Sequence, residues 1–169
     1  KKINEALNES PIDAIVFSYH GIPMSYVKDG DNYPKECTKT TKLIMDKLGD
    51  IPYYQTYQSK FGPSEWLKPA TDDTLKKLPS KGIKNIFYPC ILHESREFKN
   101  ATDTFNCPVV TSYAEVIKNN MDSLEENNVN FMNPFLPIAN KSKLKKRLKD
   151  ALSIFNISQR EINYAVDKA

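Results

Sequence analysis

Apolar residues run from Ile12 to Phe17 with only Asp13 among them, and the run ends on Ser18-Tyr19-His20-Gly21. A short apolar stretch closed by a turn signal predicts a buried strand that delivers a loop. From Tyr33 the period changes: Cys37, Thr41, Ile44, Met45 and Leu48 share a helical face, and Gly49 follows as a stop. Tyr53 to Tyr57 predicts a second strand, followed by the loop Gln58-Ser59-Lys60-Phe61-Gly62-Pro63. Thr71 is placed to cap a helix through Leu78, which Pro79 and Gly82 end. Lys84 to Leu92 predicts a third strand, and a helix is expected from about Glu94 to Thr104. A short fourth strand at Val109-Val110, a helix to about Glu126 opened by the capping box Ser112-x-x-Glu115, and a fifth strand over Val129 to Met132 come next. Asn140 caps a basic helix, and Ser158-x-x-Glu161 opens the last one.

Strands alternating with helices imply right-handed βαβ crossovers. The predicted fold is therefore α/β: a Rossmann-like or flavodoxin-like three-layer sandwich, with a parallel sheet of four or five strands and helices on both faces. The whole chain, 1–169, is expected to form a single domain with the sheet continuous across residues 78–86. Ligands of such sheets bind outside the carboxyl ends of the strands. That places His20, the loop from Gln58 to Pro63 and the segment after Pro89 along one edge. No G-x-G-x-x-G follows the first strand, so a dinucleotide fingerprint is absent.

Composition changes this picture little. The chain is 40% hydrophobic and 27% charged, with a net charge of +3, which is too small to predict a nucleic-acid partner. Six cations gather in Lys141, Lys143, Lys145, Lys146, Arg147 and Lys149, which reads as a solvated helix face. No apolar run approaches the ~20 residues that span a bilayer. Three cysteines do not make a disulfide framework, and a reducing, cytoplasmic setting is expected.

Two blocks carry chemistry. The first is Phe17-Ser18-Tyr19-His20-Gly21-Ile22-Pro23-Met24-Ser25-Tyr26, then Gly30-Asp31-x-Tyr33-Pro34 and Cys37-Thr38-Lys39-Thr40-Thr41. The second is Tyr57-Gln58-Ser59-Lys60-Phe61-Gly62-Pro63-x-x-Trp66-Leu67-x-Pro69-x-Thr71-Asp72. In order and spacing, over about residues 13–85, they resemble the second half of ferrochelatases, which insert ferrous iron into protoporphyrin in haem biosynthesis. The resemblance implies a lyase that needs no resident cofactor, with ferrous iron as substrate and a porphyrin as partner. Metal insertion requires two pyrrole protons to leave, and a histidine at a strand end can accept one or hold the metal in passing. The resemblance gives that role to His20. Tyr26, Phe61 and Trp66 are placed to pack on the macrocycle and Lys60 to meet a propionate. Each also has a plainer reading: a capping histidine, a packing tryptophan, a solvated lysine.

The family's next helix carries a catalytic Glu. Counting from the third strand, Glu97 falls there as acidic partner and transient metal ligand, with Glu94 nearby. Arg96 and Ala101 depart from the family's acidic pattern. Residues 82–169 resemble instead the extended region of 2-hydroxyacyl-CoA dehydratase activator proteins. The residues that carry this are Ile86-Phe87-Tyr88-Pro89-Cys90-Ile91, Asn106-Cys107-Pro108-Val109-Val110-Thr111-Ser112-Tyr113 and Phe131-x-Asn133-Pro134-Phe135-Leu136-Pro137. That resemblance makes Cys90 and Cys107 candidate iron–sulfur ligands. A cubane needs three or four thiolates, so two buried cysteines at strand ends is the favoured reading.

The chain thus reads as a chimera, 1–85 ferrochelatase-like and 86–169 activator-like, joined near Leu78 to Ile86. Three functions are in play: a metal insertase, a non-catalytic α/β scaffold or binding module, and an iron–sulfur module. The insertase lacks the first-domain wall of the porphyrin cleft. A homodimer, or an N-terminal domain outside this chain, would restore it.

Overall fold

The computed structural model describes residues 12–93, 100 and 105–168. The chain divides into two compact units, with the boundary between Ile83 and Lys84. The helix expected over 94–104 lies, apart from residue 100, outside the described residues, and with it Glu94, Arg96, Glu97 and Ala101.

The first unit is built on β1 (Ile15–His20) and β2 (Tyr53–Gln58), paired in parallel with Ile15 opposite Tyr53 and His20 opposite Gln58. Parallel neighbours need a crossover, which α1 (Met24–Lys28) and α2 (Tyr33–Leu48) supply. Pro34 lies in the first turn of α2, where its missing N–H costs nothing. The helix buries Cys37, Thr41 and Met45, one per turn, and Gly49 closes it with its N–H on the Met45 carbonyl. Cys37, Tyr57 and Leu67 form a core cluster, with Tyr19, Ile22, Met24, Val27 and Tyr33 packed against it.

After β2 come α3 (Thr71–Leu75) and a 3₁₀ turn at Pro79–Lys81. The helix is shorter than the sequence predicts, and Thr71 is not its cap. Ala70 holds that position, and the Thr71 hydroxyl bonds elsewhere.

In the second unit β3 (Asn85–Phe87) and β4 (Cys90–Ile91) replace the single predicted third strand. Pro89 separates them because it has no N–H for the ladder. Their partners, β5 (Asn130–Met132) and β6 (Phe135–Leu136), are likewise interrupted at Pro134, and both pairs are parallel. The Tyr88 N–H on the Met132 carbonyl (2.8 Å) and the Cys90 N–H on the Pro134 carbonyl (2.9 Å) keep the halves in line. The α/β class and the parallel sense of the strands therefore hold. Strand pairing among the described residues forms three two-stranded sheets, β1–β2, β3–β5 and β4–β6, in place of one sheet running across 78–86.

The helices of this unit are α4 (Pro108–Thr111), α5 (Tyr113–Asn120), α6 (Asp122–Glu126), α7 (Lys141–Ala151) and α8 (Gln159–Lys168). Val109-Val110 is helical, not a strand: Pro108 at the helix start presets its geometry and overrides the β-preference of two valines. Met121, with extended backbone, divides the helix expected from Ser112 to Glu126. The Ser112–Glu115 box does not close. Ser112 Oγ donates to the Pro108 carbonyl (2.7 Å), and Glu115 Oε1 accepts from Asn133 Nδ2 (2.6 Å). The Ser158–Glu161 box does close, through Ser158 N–H to Glu161 Oε2 (2.7 Å) and Glu161 N–H to Ser158 Oγ (3.2 Å).

Asn140 caps α7 as the sequence predicts, accepting the Lys143 N–H at 3.0 Å. Asn140→Ala is expected to lower stability by about 1 kcal/mol, measured as a shift in the denaturant midpoint, with Asn140→Asp restoring it. An unchanged midpoint for the alanine variant would count against the cap. The α7 cations are not all solvated: Lys145 pairs with Asp167 (2.7 Å) and Lys149 donates to the Ile157 carbonyl, both onto or beside α8. No helix among the described residues is long and apolar enough to cross a membrane.

Candidate functional site at the end of the first strand

The strand β1 carries His20 to its carboxyl end, where the side chain is exposed. Alternation along the strand puts Ser18 and His20 on one face and Phe17 and Tyr19 on the other. Parallel pairing puts Thr56 and Gln58 on the same face as Ser18 and His20.

The turn after His20 is held tightly. The Gly21 N–H donates to the Gln58 carbonyl at 2.8 Å. A Cβ at position 21 would stand 2.8 Å from that same oxygen and 3.4 Å from Trp66 Cε3, so only glycine fits. Residues 22–24 then run antiparallel to 65–67: the Met24 N–H donates to Glu65 (2.8 Å) and the Leu67 N–H to Ile22 (3.1 Å). The Tyr57 N–H donates to the Pro69 carbonyl at 2.9 Å. The loop between β2 and α3 is therefore folded back along the carboxyl end of the strand pair, and it sets Trp66 against Gly21.

Trp66 is half-buried, whereas Tyr26 (55% exposed), Phe61 (84%) and Lys60 are open to solvent. Trp66 Nε1 and Ser59 Oγ are buried without a hydrogen-bond partner. Ser59 also has a left-handed φ of 67°, uncommon for a residue with a side chain. Buried polar atoms are nearly always satisfied, so two unsatisfied ones beside His20 are notable.

The opposite face of the strands is lined with hydroxyls. Tyr19 Oη and Thr41 Oγ1 are hydrogen-bonded at 2.9 Å, and Gln55 Nε2 donates to Tyr57 Oη at 2.8 Å. Burial is the largest influence on the Tyr33 phenol and, with its bond to Cys37, pushes its pKa up to about 12. Burial likewise pushes the Cys37 thiol up. The unfolded chain ionises Tyr33 near 10, before the folded chain does. The stability this phenol contributes is thus complete below pH 10 and is lost as pH rises from 10 through 12. An absorbance titration at 295 nm is expected to show a tyrosine ionising near pH 12 in the folded protein and absent in Tyr33→Phe. A titration unchanged by that substitution would contradict the assignment.

The cysteines of the second unit stand in different surroundings. Cys90 is buried at 1% exposure, and burial raises its thiol pKa. Cys107 is exposed at the start of α4, so the expectation of two buried cysteines holds for one of them. Among the described residues no group of three or more His, Cys, Asp or Glu converges to hold a metal ion.

In open α/β sheets of parallel strands the ligand position is the carboxyl ends of the strands, and that is the edge to which β1 carries His20. Comparison with known families makes this specific. The chain belongs to the ferrochelatase family over residues 1–93 and to that of the CoA enzyme activase uncharacterised domain (DUF2229) over residues 73–169. The coproporphyrin III ferrochelatase of Enterococcus faecalis is 99% identical over 86 residues, which are 51% of this chain and 28% of that protein. The ferrochelatases of Actinobacillus pleuropneumoniae and Idiomarina loihiensis are each 50% identical over 80 residues. These are 46% of this chain and 25% and 22% of those proteins. The chain thus spans about a quarter of the length of the curated relatives it matches. The two family matches overlap over residues 73–93, an arrangement consistent with a chimera of the two.

Proposed function

We propose that the first unit is the histidine-bearing half of a ferrochelatase-type site, acting on a porphyrin in haem biosynthesis. The observation that carries this reading is His20 exposed at the carboxyl end of β1, on a turn locked by Gly21, Gln58 and Trp66. Insertion of ferrous iron expels two protons from the pyrrole nitrogens, and His20 accepts one. Glu97 is its acidic partner and a transient metal ligand. Tyr26 and Trp66 pack on the macrocycle, and Lys60 meets a propionate. The reaction needs no resident cofactor, because iron is the substrate, and Cys90 with Cys107 falls short of the three or four thiolates of a cubane. The name of the Enterococcus relative makes coproporphyrin III the first porphyrin to try. A second copy of the chain, or an N-terminal domain, supplies the other wall of the cleft.

The test is anaerobic incubation with coproporphyrin III or protoporphyrin and ferrous iron or zinc, watching the Soret band. Its movement at a rate above the protein-free control supports metallation. A second reading, a module related to the CoA enzyme activase domain and without metallation activity, has the match of residues 73–169 in its support. A Soret band that stays at the control rate in both the monomeric and the self-associated protein would leave that reading in place. A brown protein with visible thiolate-to-iron absorption would favour a cluster instead.

A further inference from the structure

Behind His20 lies a row of three hydroxyls, and their bonding fixes which way each proton points. Thr56 Oγ1 donates to the Phe17 carbonyl at 2.9 Å. A hydroxyl has one proton, so Thr56 must accept from Thr71 Oγ1, which stands 2.9 Å away. The Thr71 proton is then committed, and Ser18 Oγ, also at 2.9 Å, must donate to Thr71. The order is Ser18 to Thr71 to Thr56 to the Phe17 carbonyl. Thr56 and Thr71 have no exposed surface, so water does not compete for these bonds.

The row joins three elements at one point: β1 through Ser18 and Phe17, β2 through Thr56, and the first residue of α3 through Thr71. It explains why Thr71 does not cap its helix. It also ends in a backbone carbonyl, so it carries no proton away and is a brace, not a relay. Its oxygen end is Ser18. That residue shares its face of β1 with His20 and lies two positions before it, about 6.6 Å along the strand.

We infer that Ser18, Thr56 and Thr71 are positioning residues for His20: a buried hydroxyl brace that ties β2 and the start of α3 to β1 and so fixes the strand end that carries the histidine. The inference rests on the metallation reading for its purpose but not for its test. The chain has two histidines, His20 and His93, so the ring Cε1–Hε1 cross-peaks give one signal from each unit, assigned with His20→Ala. Thr71→Val removes the central hydroxyl at nearly constant shape. Ser18→Ala removes only the outer one and serves if the valine variant fails to fold. Each is expected to move the His20 cross-peak and leave that of His93 in place, and Thr71→Ser is expected to restore it. In metallation assays Thr71→Val is expected to lower kcat roughly tenfold or more with little change in KM, as loss of alignment does. A His20 cross-peak that stays put in both variants, moves no more than that of His93, or is not restored by Thr71→Ser overturns the brace. If the wild-type chain metallates no porphyrin, the functional reading fails on its own while the cross-peaks still decide this one.

Discussion

His20→Ala is expected to abolish porphyrin metallation, a loss of at least about a hundredfold, since removing a positioned proton acceptor forfeits a factor of 10²–10⁴. The side chain is exposed and takes no part in the core cluster, so the fold is expected to survive. Far-ultraviolet circular dichroism and the emission of Trp66, the chain's single tryptophan, check that it does. Soret kinetics under ferrous iron and under zinc then separate two roles. A proton acceptor is needed for either metal, whereas a transient iron ligand affects ferrous iron more. Metallation that continues at the wild-type rate in His20→Ala would remove His20 from the reaction and leave it as part of an inherited motif.

The second large effect is at the neighbouring residue. Gly21→Ala is expected to destabilise the first unit by about 1–3 kcal/mol, the usual penalty for forcing extra volume into a closed site. The new Cβ would meet the Gln58 carbonyl at 2.8 Å, and that oxygen is backbone already engaged by the Gly21 N–H, so it cannot swing aside. Trp66 lies on the same spot, and its fluorescence reports the transition directly. A denaturant midpoint equal to wild type would mean that the turn yields easily and that His20 is not rigidly presented. Metallation is expected to fall along with stability in this variant, because the substituted position is next to His20.

Much of the first unit is legible in the sequence. The apolar run before His20, the helical spacing of Cys37, Thr41 and Met45, and Tyr53 to Tyr57 each give one local signal, and all three elements form where expected. The hydroxyl bonding is not legible. Ser18, Thr56 and Thr71 are far apart in the chain and ordinary one by one, and only the parallel register of β1 and β2 brings them together. Thr71 shows the cost of reading locally, since its side chain has a tertiary partner that outcompetes the cap. In the second unit the prolines mislead in two ways. Pro89 divides one apolar stretch into β3 and β4, and Pro108 begins a helix over two valines that favour strands by propensity. Among the described residues separate strand pairs stand in place of the predicted continuous sheet: β3 and β4 pair with the residues on either side of Pro134, a register that period and composition do not reveal.

The strand pairs β1–β2, β3–β5 and β4–β6 each join partners from the same side of Ile83–Lys84. In terms of inheritance, a gene can be cut and rejoined at this point without leaving any of these strands bereft of its neighbour. The overlap of the two family matches over residues 73–93 spans that point. A crossover there passes on the His20 edge intact, as a heritable cassette, and gives a different ancestry only to the residues downstream of it.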